Sequence, residues 1–299
     1  MKYFLSFLLL MGVLYVNAQN ENNETKNSPK DTAWTFEGIS SFNFTQGSVK
    51  HWAQGGEDFF SALLLNDYTI SYDKKKSSWE NTFNYKLGGT QQGTGMYNRR
   101  KTEDIFELNS KYGYEIKKGQ LFFSNVVNFK TQFLRGYEYP KEDSIAKVSE
   151  FLNPGYLVLA TGFEYKYKKM LSVLISPLSG KATVVTDTLY SVPYGLEPGE
   201  TFRAEMGAYL KVNFKKEIMK NVRLQSSLEL FNNYLDNPYT LKNNTDLDWQ
   251  TTINFKVNEY IKAVLFAHFM WNADVIQRVQ IKETLGIGIS YSFDSTKKK

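Results

Sequence analysis

Few side chains in this 299-residue chain have the types and spacing that catalysis requires. It holds two histidines, His51 and His268, and no cysteine, which excludes a cysteine nucleophile, a thiolate metal site and a disulfide framework. Neither histidine has a neighbour that marks a serine partner, and no histidine and carboxylate fall at metal-ligand spacing. For His268 the expected role is a hydrogen-bonded structural one. Glu103 with Glu107, and Glu205 near Arg203, have the types for an acid/base pair, although mixed charges of this kind more often form ion pairs. Gly286-Ile287-Gly288 sits inside an apolar run rather than ahead of a helix, so it does not read as a phosphate loop. The expectation is therefore no catalytic residue, no metal, no cofactor and no enzymatic activity. What recurs instead is a mixed set of charges on one face of successive segments: Glu80, Lys86, Glu103, Glu107, Lys111, Lys130, Arg203, Glu205, Lys211, Arg223, Glu229 and Lys256. Charges so placed can line a polar interior. Mixed signs argue against a strongly ion-selective ring and for pairing across that interior.

The segments that carry these charges alternate with period two, the signature of a half-buried strand. In Trp79 to Leu87 the odd positions are Trp, Asn, Phe, Tyr and Leu, and the even ones are Glu80, Thr82, Asn84 and Lys86. Phe106 to Ile116, Phe202 to Phe214, Val222 to Leu230, Leu247 to Val257 and Leu285 to Phe293 repeat the pattern. About 12 strands follow, near 34–44, 58–72, 78–88, 103–116, 120–134, 155–168, 170–178, 201–215, 221–234, 246–257, 260–272 and 281–293. Many exceed the ~9 to 11 residues that a tilted strand needs to cross a bilayer's apolar core. The second, sixth, seventh and eleventh are apolar on both faces, which leaves their facing open.

Short links (Asp73 to Ser77, Lys117 to Gly119, Lys168 to Lys169, Lys216 to Lys220, Asn258 to Glu259) alternate with long ones at 45–57, 88–102, 135–154, 179–200, 235–245 and 272–280. Such alternation is the habit of outer-membrane barrels, whose periplasmic turns are short and outer loops long. With an even strand number both termini are expected on the periplasmic side. Tyr and Trp should then gather on the apolar face near both interfaces. Trp34, Tyr68, Tyr72, Trp79, Tyr112, Tyr114, Tyr165, Tyr167, Tyr260 and Tyr291 fall near the short-turn ends, and Tyr85, Tyr234, Trp249 and Trp271 near the others. An Arg or Lys facing lipid at midplane costs ~2 to 4 kcal/mol, so the charged face must point inward. A soluble sandwich or lipocalin-like barrel predicts the same alternation, but not the strand lengths, loop asymmetry and aromatic placement together.

Composition agrees: 20 Tyr and 22 Phe accompany a formal charge of +5, and the Lys and Arg sit mainly in turns and tail, not clustered as a nucleic-acid surface requires. Residues 1–18 read as a secretory signal, with Lys2, an apolar run to Val16 and a small-residue cut at Ala18. Residues 19–33 read as a polar periplasmic linker, 34–293 as the all-β transmembrane antiparallel up-and-down barrel, and 294–299 as a basic C-terminal tail. Expected partners are outer-membrane lipid, the export and barrel-insertion machinery, and a small polar solute, with no nucleic acid. Two outer-loop features stand out. His51 and Trp52 precede Gly55-Gly56 in the first long link as candidate ligand contacts at a mouth, and 179–200 is expected to lid or constrict the barrel through a small hairpin of Thr183 to Val185 with Leu189-Tyr190.

Several blocks carry a resemblance: Trp52 to Gly56, Glu107 to Tyr114, Asn128 to Phe133, Ser176 to Lys181, Glu197-Pro198-Gly199 and Tyr234 to Pro238. In this order they resemble a Bacteroidota family of outer-membrane β-barrel proteins catalogued as a domain of unknown function. The resemblance implies a barrel in the outer membrane and supplies no activity and no site residues. One departure is that Phe293 is followed by six further residues, whereas such barrels usually finish on an aromatic residue. Two functional classes remain open: a channel or passive transporter for small polar solutes, and a structural or surface-interaction barrel with a filled lumen.

Overall fold

The computed structural model describes residues 33–49, 57–93, 98–141, 144–235, 244–258 and 260–295. Twelve antiparallel strands form a closed barrel. In chain order its strands are β1 (Trp34–Gly47), β2 (Phe59–Lys74), β3 (Ser77–Gln92), β4 (Arg99–Lys117), β5 (Leu121–Thr131), β8 (Gly155–Tyr167), β9 (Leu171–Val184), β10 (Phe202–Met219), β11 (Val222–Asn233), β12 (Thr245–Lys256), β13 (Ile261–Asn272) and β14 (Ile276–Asp294). β6 (Gly136–Lys141) and β7 (Ser144–Ser149) pair as a separate hairpin within the connection from β5 to β8. The barrel closes where β1 meets β14, from Glu37 opposite Asp294 to Asn43 opposite Gly288. Every edge of the twelve barrel strands is thereby paired, which removes the unsatisfied backbone groups that an open sheet would present to hydrocarbon.

The period-two pattern sets which face looks out. Trp79, Leu108, Tyr112, Tyr114, Ile175, Leu178, Leu285 and Ile287 are exposed on the exterior, while the alternate Ser124, Asn128, Glu164 and Ser290 are buried. Polar residues buried beneath an exposed apolar skin invert the arrangement of a water-soluble barrel. Trp34, Tyr72, Trp79 and Tyr112 stand in one register row across β1 to β4. The Trp34 ring lies 4.9 Å from Tyr72 and 6.1 Å from Trp79. At the other end Trp249 and Tyr234 are exposed, a sparser set. The Trp249 indole N–H donates to Ser226 Oγ at 2.9 Å, which satisfies a donor that hydrocarbon would leave unpaired.

Several boundaries differ from the sequence expectation for identifiable reasons. β9 runs through Pro177 instead of stopping beside it, because a bulge lies there. The register shifts opposite both neighbours, and Ser176 Oγ accepts the Thr161 N–H at 3.1 Å and donates to the Thr161 carbonyl at 2.6 Å. Opposite this bulge, a Cβ on Gly162 would sit 2.1 Å from the Ile175 carbonyl oxygen, so only glycine fits. β5 ends at Thr131, not 134, because the Asp104 carboxylate takes the backbone N–H of Phe133 at 3.0 Å and of Leu134 at 2.7 Å. The expected long link at 272–280 is a turn of 273–275, since β14 starts at Ile276. The expected hairpin inside 179–200 is absent: Thr183 and Val184 extend β9, and Leu189 and Tyr190 lie in a 3-10 turn, Thr188–Tyr190, followed by another at Val192–Tyr194.

Candidate functional site

The lumen divides along its length. Its short-turn half holds a cavity of about 600 Å³ that reaches from Asp73, Lys168 and Lys169 at the rim up to Glu103 and Glu107. In the long-loop half, side chains meet across the barrel. Lys130 on β5 places its Nζ 3.3 Å from Glu229 on β11, 3.3 Å from Asp248 on β12 and 3.7 Å from Glu107 on β4. β5 and β12 are five strands apart in a ring of twelve, so this clamp crosses almost the full lumen. A second tie joins Lys282 on β14 to Glu103 on β4 at 2.9 Å. Over the remaining gap, the Lys86 ammonium lies 3.6 Å from the centre of the Phe266 ring, a cation–π contact between β3 and β13. On one wall the apolar side chains Val126, Ala160, Leu174, Tyr209 and Phe231 pack together beside these charges.

Around the clamp the pairing is local. Lys211 meets Glu229 at 2.8 Å, Lys111 joins Glu80 at 3.2 Å and Glu164 at 2.7 Å, and Lys181 bridges Glu205 and Asp246. His268 Nε2 lies 3.0 Å from Asp248, the hydrogen-bonded role expected of it. Arg203 gathers Glu205 at 3.1 Å, Asp274 in the β13–β14 turn at 2.7 Å and the Gly195 carbonyl at 2.7 Å. Gly195 belongs to the 185–200 connection, which therefore reaches from β9 and β10 to the far turn and lies over that side of the mouth.

That connection has its own small core of Val185, Tyr190 and Leu196, with Tyr194 packed against it. Asn153 splints it, accepting the Thr186 and Asp187 N–H groups at 2.7 and 3.1 Å. The Tyr194 hydroxyl donates to the Val148 carbonyl at 2.8 Å, and burial pushes its ionisation up to about 12. The loop is thus a packed strap fastened to the β6–β7 hairpin.

Of the residues singled out from sequence, Glu80, Lys86, Glu103, Glu107, Lys111, Lys211 and Glu229 line the cavity, and Lys130, Arg203 and Glu205 form the ties above it. Arg223 and Lys256 stand exposed near the short-turn ends of β11 and β12 and do not line the cavity. His51 and Trp52 lie outside the described residues. Sequence reasoning passed over Asp67, Glu164, Lys181, Asp246, Asp248 and Lys282. Asp248 was on the polar face of a clean strand; Asp67 and Glu164 sit on strands apolar on both faces, where alternation is too weak to assign a lumen side, and Lys181 fell in the expected loop 179–200 because β9 was expected to end at 178. Among the described residues no group of three His, Asp or Glu side chains could hold a metal ion, and no helix is long and apolar enough to cross a membrane.

Residues 44–137 match a family described as a protein of unknown function, DUF3078. Three of the six resembling blocks, from Trp52 to Phe133, fall inside that span. No curated protein matches the chain. Among solved structures the chain is similar to the translocator domain of autotransporter NalP from Neisseria meningitidis, at 10% identity and a TM-score of 0.40, covering 96% of each chain. It is similar also to an outer membrane channel from Pseudomonas putida F1, at 12% identity and TM-score 0.40, covering 92% of this chain and 100% of that one. The outer membrane channel DcaP of Acinetobacter baumannii follows at 9% identity and TM-score 0.32, covering 87% and 96%. Likeness at this level concerns barrel architecture alone.

Proposed function

We propose that this chain is an outer-membrane β-barrel that passes small polar solutes and is held closed, in the conformation described, by the Lys130 clamp. Three features support membrane residence: an exposed apolar exterior, an aromatic row near one end with a sparser set near the other, and a paired edge at every barrel strand. The observation that carries the conduit is the cavity of about 600 Å³ inside that skin, lined in good part by charged and amide side chains and stopped across the lumen by ion pairs, with the apolar cluster of Val126, Leu174 and Tyr209 confined to one wall. Ion pairs can exchange partners or hydrate; a jigsaw of aliphatic side chains cannot. In this reading the short turns face the periplasm together with both termini, and 185–200 straps the outer mouth.

One observation favours a second reading. Cross-lumen ties at two places, with the strap above, are also what a filled, non-transporting barrel would use. Planar-bilayer recording of the purified, folded chain separates the two. The conduit predicts rare, solute-blockable conductance steps in the wild type and frequent ones in Lys130→Met; membranes silent with both proteins would refute it. Membrane residence has its own test, a heat-dependent gel-mobility shift and recovery in the outer-membrane fraction. A chain found only in the soluble fraction would overturn that part.

A further inference from the structure

Most charges that line the cavity are paired and mixed in sign, but those with no carboxylate or ammonium at ion-pair distance fall mainly on two opposite sides, Lys86 on β3 excepted because it sits over the Phe266 ring, and their placement points to a class of ligand. Glu37 on β1 and Asp67 and Asp73 on β2 line one side, and none of the three has an ion-pair partner among the described residues. Lys168 and Lys169 in the turn into β9, and Lys215 on β10, line the other, again with no carboxylate partner. In the ring of twelve, β1 lies six strands from β9 and β2 six strands from β10, so the two groups are diametrically opposed. A polar chamber whose unpaired carboxylates and unpaired ammoniums largely face each other attracts neither simple cations nor simple anions throughout. It orients a molecule that carries both charges, with its ammonium towards β1 and β2 and its carboxylate towards β9 and β10.

A second observation concerns buried polar atoms on the cavity wall. Among the described residues, Glu103 Oε2 and Asn109 Oδ1 on β4 and Asn43 Nδ2 on β1 belong to buried side chains that line the cavity, and none has a hydrogen-bond partner. Two unmet acceptors two strands from β2 suit a ligand with several N–H donors, and the unmet donor on β1 suits a carbonyl of the same ligand, since a buried polar atom left unpaired costs roughly 1 to 3 kcal/mol. A volume of about 600 Å³ lies within the range of small-ligand sites and exceeds what a single inorganic ion requires.

We infer that this vestibule binds small zwitterions of short-peptide size, with a free ammonium and a free carboxylate at opposite ends. The inference deepens the conduit reading by naming its solute class, and rests on that reading for its transport meaning alone.

The test is calorimetric titration of the refolded full chain in detergent with trialanine, N-acetyl-trialanine and trialanine amide. Trialanine should bind, and each blocked analogue should bind at least about tenfold more weakly, the equivalent of losing one hydrogen bond to a charged group. Asp67→Asn should weaken trialanine and leave the N-acetylated peptide unchanged, whereas Lys215→Gln should weaken trialanine and leave the amide unchanged. The heat-dependent mobility shift verifies that each variant folds. Equal affinity for all three peptides, or none for trialanine, overturns the inference. Because binding is read without a membrane, its failure alongside intact conductance would leave the conduit standing, and binding by an electrically silent barrel would remove the conduit and keep the site.

Discussion

Replacing Lys130 with methionine removes the charge that three carboxylates share while keeping a side chain of similar length. At an effective dielectric of about 20, charges 3.3 Å apart attract by about 5 kcal/mol, and the pair at 3.7 Å by slightly less. The gross attraction, roughly 14 kcal/mol over the three contacts, is largely offset by the cost of taking four charged groups out of bulk water. The net quantity to expect is the cost of stranding buried carboxylates, about 3 to 5 kcal/mol. The side chains of Lys130, Glu229 and Asp248 retain 19%, 12% and 23% exposure, so water entering from the cavity favours the lower end of that range. Urea titration of the barrel folded into phospholipid vesicles, followed by tryptophan fluorescence, measures the loss. A cycle with Asp248→Asn should recover at least about 1 kcal/mol, because one of the stranded charges is then gone. The same Lys130→Met protein should conduct more often, since Glu107 and Asp248 lose their shared ammonium while Glu229 keeps only Lys211, and the undercompensated carboxylates draw water into the closed half. A loss below about 1 kcal/mol, additive with Asp248→Asn and without added conductance, would refute the clamp as both tie and gate.

Two further outcomes follow from the inside-out arrangement and the strap. Leu285→Arg puts a charge on the exposed outer face midway along β14 and should destabilise the vesicle-folded barrel by ~2 to 4 kcal/mol, whereas Thr284→Arg, one residue away and lining the cavity, should stay within about 1 kcal/mol; equal costs would refute the assigned faces. Tyr194 ionises at about 12, above the ordinary tyrosine value, so its contribution to strap docking is complete below pH ~10 and is lost as pH rises through about 12. A difference titration of tyrosinate absorbance between wild type and Tyr194→Phe should show one late-ionising phenol, and a difference centred near pH 10 would contradict its burial.

The barrel was legible because a membrane imposes a one-sided rule on each strand. Where the inward side chain is charged, as in Glu80, Lys86, Arg203 and Glu205, alternation reveals strand and facing together. Where lumen residues are themselves apolar, as with Leu63 and Leu65 on β2 or Leu174 on β9, both faces look alike, and Asp67 escaped notice on such a strand, whereas Lys181 was hidden in the expected loop 179–200 that β9 in fact enters. Strand ends were legible only to the extent that they coincide with the apolar band. Above it, polar segments such as Gly89 to Gln92 and Ile276 to Gln280 keep pairing because backbone hydrogen bonds do not require apolar side chains, and the expected loops shrink accordingly. β6 and β7 carry too few residues and too little alternation for recognition.

The partner of each lumen charge was a different kind of unknown. Alternation says that Lys130 points inward but not which height it shares with Glu229 or Asp248, strands distant in sequence and reached across the lumen. That height follows from register summed around the ring, and register depends on local irregularities: the bulge at Ser176 to Leu178, the shift between Gly88 and Gly89, and the shift between Met270 and Asn272. Each one displaces what lies beyond it by one residue relative to its neighbour, or by two at Met270 to Asn272. Small bulges on the barrel wall therefore enter into which opposed charges share a height, which alternation within a single strand does not reveal.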